Sequence, residues 1–275
     1  MGGIVGIRSL DVVIMPVVIG YDWSGYGTAM LLEKEREAEE RNRLLLEKRI
    51  AEEGIAWSWL NTTGDIVSSL EHGAVLNELI VVNRQIEGAR YPDMRTSTSN
   101  LIVSSGKPIL AVPKEVTGFA ASGRALIAWD GSLQADAAVQ AAIPLLRLAT
   151  HVTVAEVDDG SIAVPAEELA AFLSRHGIHP FIVRDRAHRG GAGRRLLHQI
   201  GERKADYVVM GGFGHSRTSE ALFGGVTRMM LSSSPVPLFW CIESNSYRSF
   251  PINPRFYQCG IIGNDPRIMT PGALP

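Results

Sequence analysis

The chain has 275 residues, 45% of them apolar and 20% charged, with a formal net charge of -2 and a pI near 6.4. That size and apolar content suffice for one large core or two ordinary ones, and two are expected. The near-neutral balance excludes a broad surface for nucleic acid or an acidic membrane, while the two cysteines, Cys241 and Cys259, lack any CxxC or Cys/His ligand spacing and point to a reducing, cytoplasmic setting without a metal site.

In chain order, "DVVIMPVVIG" (residues 11–20) is apolar, too short for a membrane span and without a small-residue cleavage pattern. It predicts a strand. The stretch from about Thr28 to Glu53 predicts a long helix, with Glu37–Arg41 and Glu39–Arg43 at i,i+4 spacing marking a solvated face. "EEGIAWSW", "ELIVVN" (Glu78 to Asn83) and "LIVSSGKPILAV" follow as further strand and helix signals.

From Ala125 the pattern becomes regular. "ALIAWD" is an apolar, β-rich run, and "SLQADAAVQAAIPLLRLA" carries apolar residues at helical spacing. Then come the strand "HVTVAEV", the helix "PAEELAAFLSRHG" ended by Gly177, the strand "HPFIVRD" and the helix "GRRLLHQIGERK". "DYVVMGG" is a fourth strand, "TSEALFGGVTRMMLSSS" holds a further helix, and "VPLFWCI" is a fifth strand. Strands alternating with helices predict an α/β fold: a doubly wound, parallel five-stranded sheet with helices on both faces.

The first half echoes part of this order. "ELIVVN" sits where "DYVVMG" (Asp206 to Gly211) sits, Pro108 meets Pro237, and Gly54 of "EEGIAWSW" meets Gly177. These echoes predict two tandem copies of one unit, here taken as residues 1–118, incomplete, and residues 122–242, with an irregular tail at 243–275 whose scattered Pro, Gly and Asn build no core. If "VVIMPVVIG" is the second strand of the first copy, its first strand and helix are missing; if "VIGYDWS" answers "LIAWDGS", the second strand is missing. The first option suits the long helix that follows. The missing unit is expected to reflect either true loss or a start codon placed too far downstream.

The chemistry concentrates in "MGGFGHSRTSEALFGGVTR" (Met210 to Arg228). Gly211 and Gly214 come off the C-terminal end of a predicted parallel strand, the edge where open α/β sheets bind ligands. Glycines there allow close backbone approach and positive φ. Gly224 and Gly225, opening a helix, add unpaired N–H groups at a positive helix end, with the Thr227 hydroxyl beside them. "GFGHSR" has Arg217 in place of a third glycine, and no GxxxxGK(S/T) occurs, which excludes a dinucleotide fingerprint and a P-loop. His215 and Ser216 are adjacent in the chain, not arranged as base and nucleophile. Asp130 or Ser132 is available to cap the helix that follows.

At these residues the sequence resembles the universal stress proteins in their tandem form. Nucleotide-binding members of that family carry G-x2-G-x9-G-(S/T); Gly211, Gly214 and Gly224 match, as do the neighbouring Met210, Val226 and Thr227. Gly225 stands where Ser or Thr is expected, keeping the backbone donor and losing one hydroxyl contact. The resemblance also implies that Asp130 lies against adenine and ribose and that Val157 is the apolar residue on the adenine. It implies an adenine nucleotide-binding fold, ATP with or without Mg2+ as ligand, a switch or sensor role in stress response, and a homodimer as a partner state. At most weak ATP hydrolysis is expected, since no general base is poised for water attack. In the first copy Asn83, Arg84 and Gln85 replace Gly211, Gly212 and Phe213, and their side chains would crowd a phosphate, so one site per chain is expected. The alternative reading is a nucleotide-free interaction module of the same fold.

Overall fold

The computed structural model describes residues 12–14, 17–18, 57–59, 62–63, 65–84, 94–116, 118–160, 162–187, 191–212 and 224–241, with six further helical positions between 40 and 48. The 243–275 tail and residues 213–223, which include Gly214, His215, Ser216 and Arg217, lie outside the described residues.

Eleven strands and six helices are delimited. In the first half they are β1 (Val12–Ile14), β2 (Val17–Val18), β3 (Trp57–Trp59), β4 (Thr62–Thr63), α1 (Ile66–Gly73), β5 (Ile80–Asn83), α2 (Met94–Ser104) and β6 (Ile109–Val112). The second half contributes β7 (Arg124–Trp129), α3 (Leu133–Leu146), β8 (His151–Asp158), α4 (Ala166–Arg175), β9 (Phe181–Arg186), α5 (Ala192–Arg203), β10 (Tyr207–Gly211), α6 (Gly225–Ser233) and β11 (Leu238–Cys241).

The sequence dictates these elements locally. Strands β5, β6 and β11 are short, mainly apolar runs buried along their whole length, which suits strands covered on both faces. In α5 the buried Leu196 and Ile200 repeat at i,i+4, while Arg194, Arg195, His198 and Glu202 face outward. Helix α4 carries Glu167 and Glu168 in its first turn, where they complement the positive helix end, and stops at Gly177, whose φ is +76°.

The sheet has seven strands where five were expected. A single seven-stranded sheet has the order β5-β6-β11-β10-β7-β8-β9. Five of its strands come from residues 124–241 and are mutually parallel; β5 and β6 are parallel to each other and join the rest through an antiparallel β6–β11 pair. The register there sets Ile109 opposite Trp240, Leu110 opposite Phe239 and Ala111 opposite Leu238. Because pairing reverses direction at this joint, the carboxyl ends of β5 and β6 lie at the sheet edge opposite to those of β7, β8 and β10. The joint also occupies the outer edge of β11, so a second copy cannot pair through that strand. Separately, β1 pairs in parallel with β3, and β2 with β4.

One core layer packs α3 and α4 against Ile127, Trp129, Tyr207 and Phe239; the other packs α1, α2, α5 and α6 against Leu126, Val208, Leu238 and Trp240. Trp240 has no exposed surface. Its indole Nε1 is buried without a hydrogen-bond partner, for which nothing in the structure gives a reason. Since Trp240 sits in the shared layer at the joint, Trp240→Ala is expected to lower stability by about 3–5 kcal/mol. Chemical denaturation should show the loss as one shifted transition, because both halves contribute to that layer.

Candidate functional site

The parallel register brings the predicted residues to one edge. Ala128 pairs with Met210 on one side and with Ala155 on the other, so Asp130 leaves β7 between the ends of β10 and β8. Val157, two positions on from Ala155, is buried in the layer that also holds Met210, Ala192 and Met230. Strand spacing near 4.8 Å places Asp130, Val157 and Gly211 within one crevice-sized neighbourhood. All helices that follow these strands start at the same edge.

Asp130 does not cap the next helix. Ser132 does: its hydroxyl accepts from the Ala135 N–H at 3.2 Å, and its own N–H donates to Asp130 Oδ1 at 2.9 Å. The Asp130 carboxylate is therefore oriented by the loop and stays half-buried at the strand end. Its carbonyl accepts from the Ala163 N–H at 2.9 Å, and the Trp129 indole donates to the Val164 carbonyl at 2.8 Å. Between them, Gly131 has φ +74°, and a Cβ there would lie 2.0 Å from the Val164 nitrogen. These contacts strap the segment before α4 against the Asp130 loop, forming a wall that the sequence reading missed. Its signal is the Asp-Gly-Ser after β7.

The four helix starts differ in how their N–H groups are treated. Helix α3 has Ser132. At α4 the buried Glu156 caps instead: its Oε2 accepts from the Ala166 N–H at 2.7 Å and its Oε1 from Arg184 Nε at 2.9 Å. Arg184 also pairs with Glu167, which holds that exposed carboxyl below its usual range. Glu156, a carboxylate inside an apolar strand, was a legible signal for a polar duty. Helices α5 and α6 have Gly191 and Gly224 at the N-cap and no side-chain cap.

The glycines of the motif divide by environment. Gly211 has no positive φ, contrary to expectation; a Cβ there would lie 2.4 Å from the Ala135 nitrogen, so its bareness lets β10 end against the first turn of α3. Gly224 and Gly225 also lack positive φ, and among the described residues a Cβ at either would meet nothing within 4 Å. Among the described residues nothing crowds these two positions at the start of α6, where Val226 is half-buried and Thr227 buried. An uncapped helix start with free approach accepts an anion. Gly214 belongs to the segment outside the described residues, and among the described residues no group of three or more His, Cys, Asp or Glu side chains is placed to hold a metal ion. No described helix is long and apolar enough to cross a membrane.

Residues 122–240 match the model of the Universal stress protein family. Among solved structures, a universal stress protein from Archaeoglobus fulgidus DSM 4304 is similar over 87% of this chain and 88% of its own, at 17% identity and a TM-score of 0.63. A functionally unknown protein from Pseudomonas aeruginosa PAO1 is similar over 85% of this chain and 92% of its own, at 16% identity and a TM-score of 0.54. At such identities the likeness is one of fold, and it extends over both halves. No curated protein matches the chain.

The two kinds of glycine should separate on substitution. Gly211→Ala forces β10 away from α3 and is expected to lower stability by about 1–3 kcal/mol. Gly225→Ala, in open space at the first helical position, should leave stability unchanged or raise it by up to about 1 kcal/mol. Urea midpoints of the two variants compare them directly.

Proposed function

We propose that residues 122–242 bind ATP or a related adenine nucleotide, with Asp130 and Val157 toward adenine and ribose and the segment Met210, Gly211, Gly214, Gly224, Gly225, Val226 and Thr227 toward the phosphates. The observation that carries this reading is the start of α6, without a side-chain cap and unobstructed by the described residues, at the same sheet edge as the oriented Asp130 carboxylate. Its N–H groups and helix dipole favour a polyanion, and Val157, buried beside Met210 at the same edge, is the apolar residue proposed for the adenine. The family match over 122–240 supports a stress-response role; the role proposed is that of a switch or sensor in the cytoplasm. Binding with little turnover is the proposed mode; Mg2+ would enter with the phosphates.

We further read the chain as two copies, 1–118 incomplete and 122–242 complete, followed by the 243–275 tail. Support comes from the parallel β1–β3 pair, which corresponds to β8–β9, and from the parallel β5–β6 pair, which corresponds to β10–β11. The strand that would lie between β1 and β5 is the one missing from the first option above. On this reading the β6–β11 joint is an internal pseudo-dimer, and any homodimer uses another surface. A nucleotide-free interaction module remains the second reading, favoured by Gly211, whose glycine is accounted for by packing on α3.

Calorimetric titration of ATP into the purified chain separates the two. Uptake is expected, weakened in Gly214→Val. Gly225→Ser, which restores a hydroxyl at the start of α6, should tighten ATP about fivefold, the effect of one hydrogen bond of roughly 1 kcal/mol. No heat of binding at millimolar ATP would leave the interaction module.

A further inference from the structure

Arg84 follows β5 directly and is 2% exposed. Its backbone N–H extends the strand ladder, donating to the Val112 carbonyl at 3.0 Å. The side chain leaves the first half of the chain altogether. Its Nη1 donates to the carbonyls of Met230 at 2.8 Å and Leu231 at 2.6 Å, and its Nη2 donates to the Ser234 carbonyl. Met230 and Leu231 belong to the last turn of α6, and Ser234 is its C-cap.

The Leu231 and Ser234 carbonyls stand at a helix end, where intrahelical donors run out, while the Met230 carbonyl also accepts from the Ser234 N–H at 2.9 Å; a cation there also meets the negative end of the helix dipole. Burial pulls the Arg84 pKa down to about 10, with Glu115 opposing, so the group is still charged at neutral pH. A buried cation is tolerable only where hydrogen-bond acceptors replace its water. Here the acceptors are backbone atoms of a single helix. The position corresponding to Arg84 after β10 is Gly212, where a Cβ would already touch Ile102 and Trp240 at 3.8 Å. The clamp is therefore one-sided: the first half grips α6, and the second half has no arginine to grip α2.

Helix α6 has nine residues, a rod of about 13 Å at 1.5 Å per residue. Arg84 holds one end, and Gly224, Gly225, Val226 and Thr227 stand at the other. We propose, resting on the nucleotide reading above, that Arg84 is a positioning residue for the phosphate end of the site: by fixing the carboxyl end of α6 it aims the N–H groups at its start, so the first half of the chain sets the affinity of the second. Without the clamp, the Leu231 and Ser234 carbonyls lose the guanidinium donor and Met230 keeps only the Ser234 N–H. The last turn must then shift or open to water, and the helix start loses the alignment that preorganised donors supply.

The test is to titrate ATP and, separately, adenosine into the full chain as wild type, Arg84→Met and Arg84→Lys. Because only the phosphates meet α6, Arg84→Met is expected to weaken ATP about tenfold and adenosine by no more than about twofold, with Arg84→Lys between wild type and Met. Hydrogen exchange of the α6 amides should be faster in Arg84→Met. If that variant does not fold, Arg84→Lys carries the test, with an expected loss of about threefold for ATP alone. Unchanged ATP affinity in a folded variant, or equal losses for ATP and adenosine, overturns the positioning role and leaves the nucleotide reading standing. A wild-type chain that takes up no ATP overturns the nucleotide reading and, with it, this one.

Discussion

The antiparallel pairing of β6 with β11 is the constraint on which the rest of the structure depends. A parallel βαβ unit ending in a buried apolar strand such as Leu238–Cys241 has a problem at its outer edge, since unpaired backbone groups and apolar side chains there invite aggregation. The first half supplies the missing neighbour, with Trp240 set opposite Ile109 and Phe239 opposite Leu110. The reversal of direction then decides where everything else falls. It sends the end of β5 to the edge at which α6 finishes, which is why Arg84 can reach the carbonyls of Met230, Leu231 and Ser234. It also leaves the start of α6 at the far edge, beside Asp130.

Much of the second half was legible because its two periods are clean. Fully buried strands appear as unbroken apolar runs, and helices such as α5 show the i,i+4 stripe that packs on the sheet, so the sequence pattern leads to element bounds that shift by only a residue or two. The joint was not legible. An apolar run such as Ile109–Val112 has the same pattern whether its neighbour runs parallel or antiparallel, and nothing in "ILAV" names β11 as that neighbour. Seven strands in one sheet, where five were expected, follow from that single undetermined choice of partner.

The candidate site was legible by residue type and only partly by reason. A glycine in sequence can mean ligand approach, a positive φ or tight packing, and these share one letter. Gly131 combines the last two, Gly211 shows packing alone, and Gly224 and Gly225 show neither. Only the last pair keeps close approach as its clearest physical account. Polar residues carried a similar ambiguity: Ser132, rather than Asp130, supplies the cap of α3, and that leaves the aspartate at the strand end with an orientation fixed by the loop but no capping duty to explain it.

The divergence between the halves has a physical logic on the two-copy reading. In a symmetric dimer of identical chains, the position after the fourth strand must serve both protomers with one residue. A glycine there, as at Gly212, leaves the strand end bare but clamps nothing; an arginine there clamps the partner's helix and, on the nucleotide reading proposed above, fills space a phosphate would need. Joining the copies in one chain removes the conflict. Gly211 and Gly212 keep one strand end bare, while Asn83 and Arg84 occupy the other, and the Arg84 side chain braces the helix that starts at the proposed phosphate end of the second half. On the proposed reading, one residue then both closes the first half's strand end and braces the second half's helix, so the two halves cannot exchange roles.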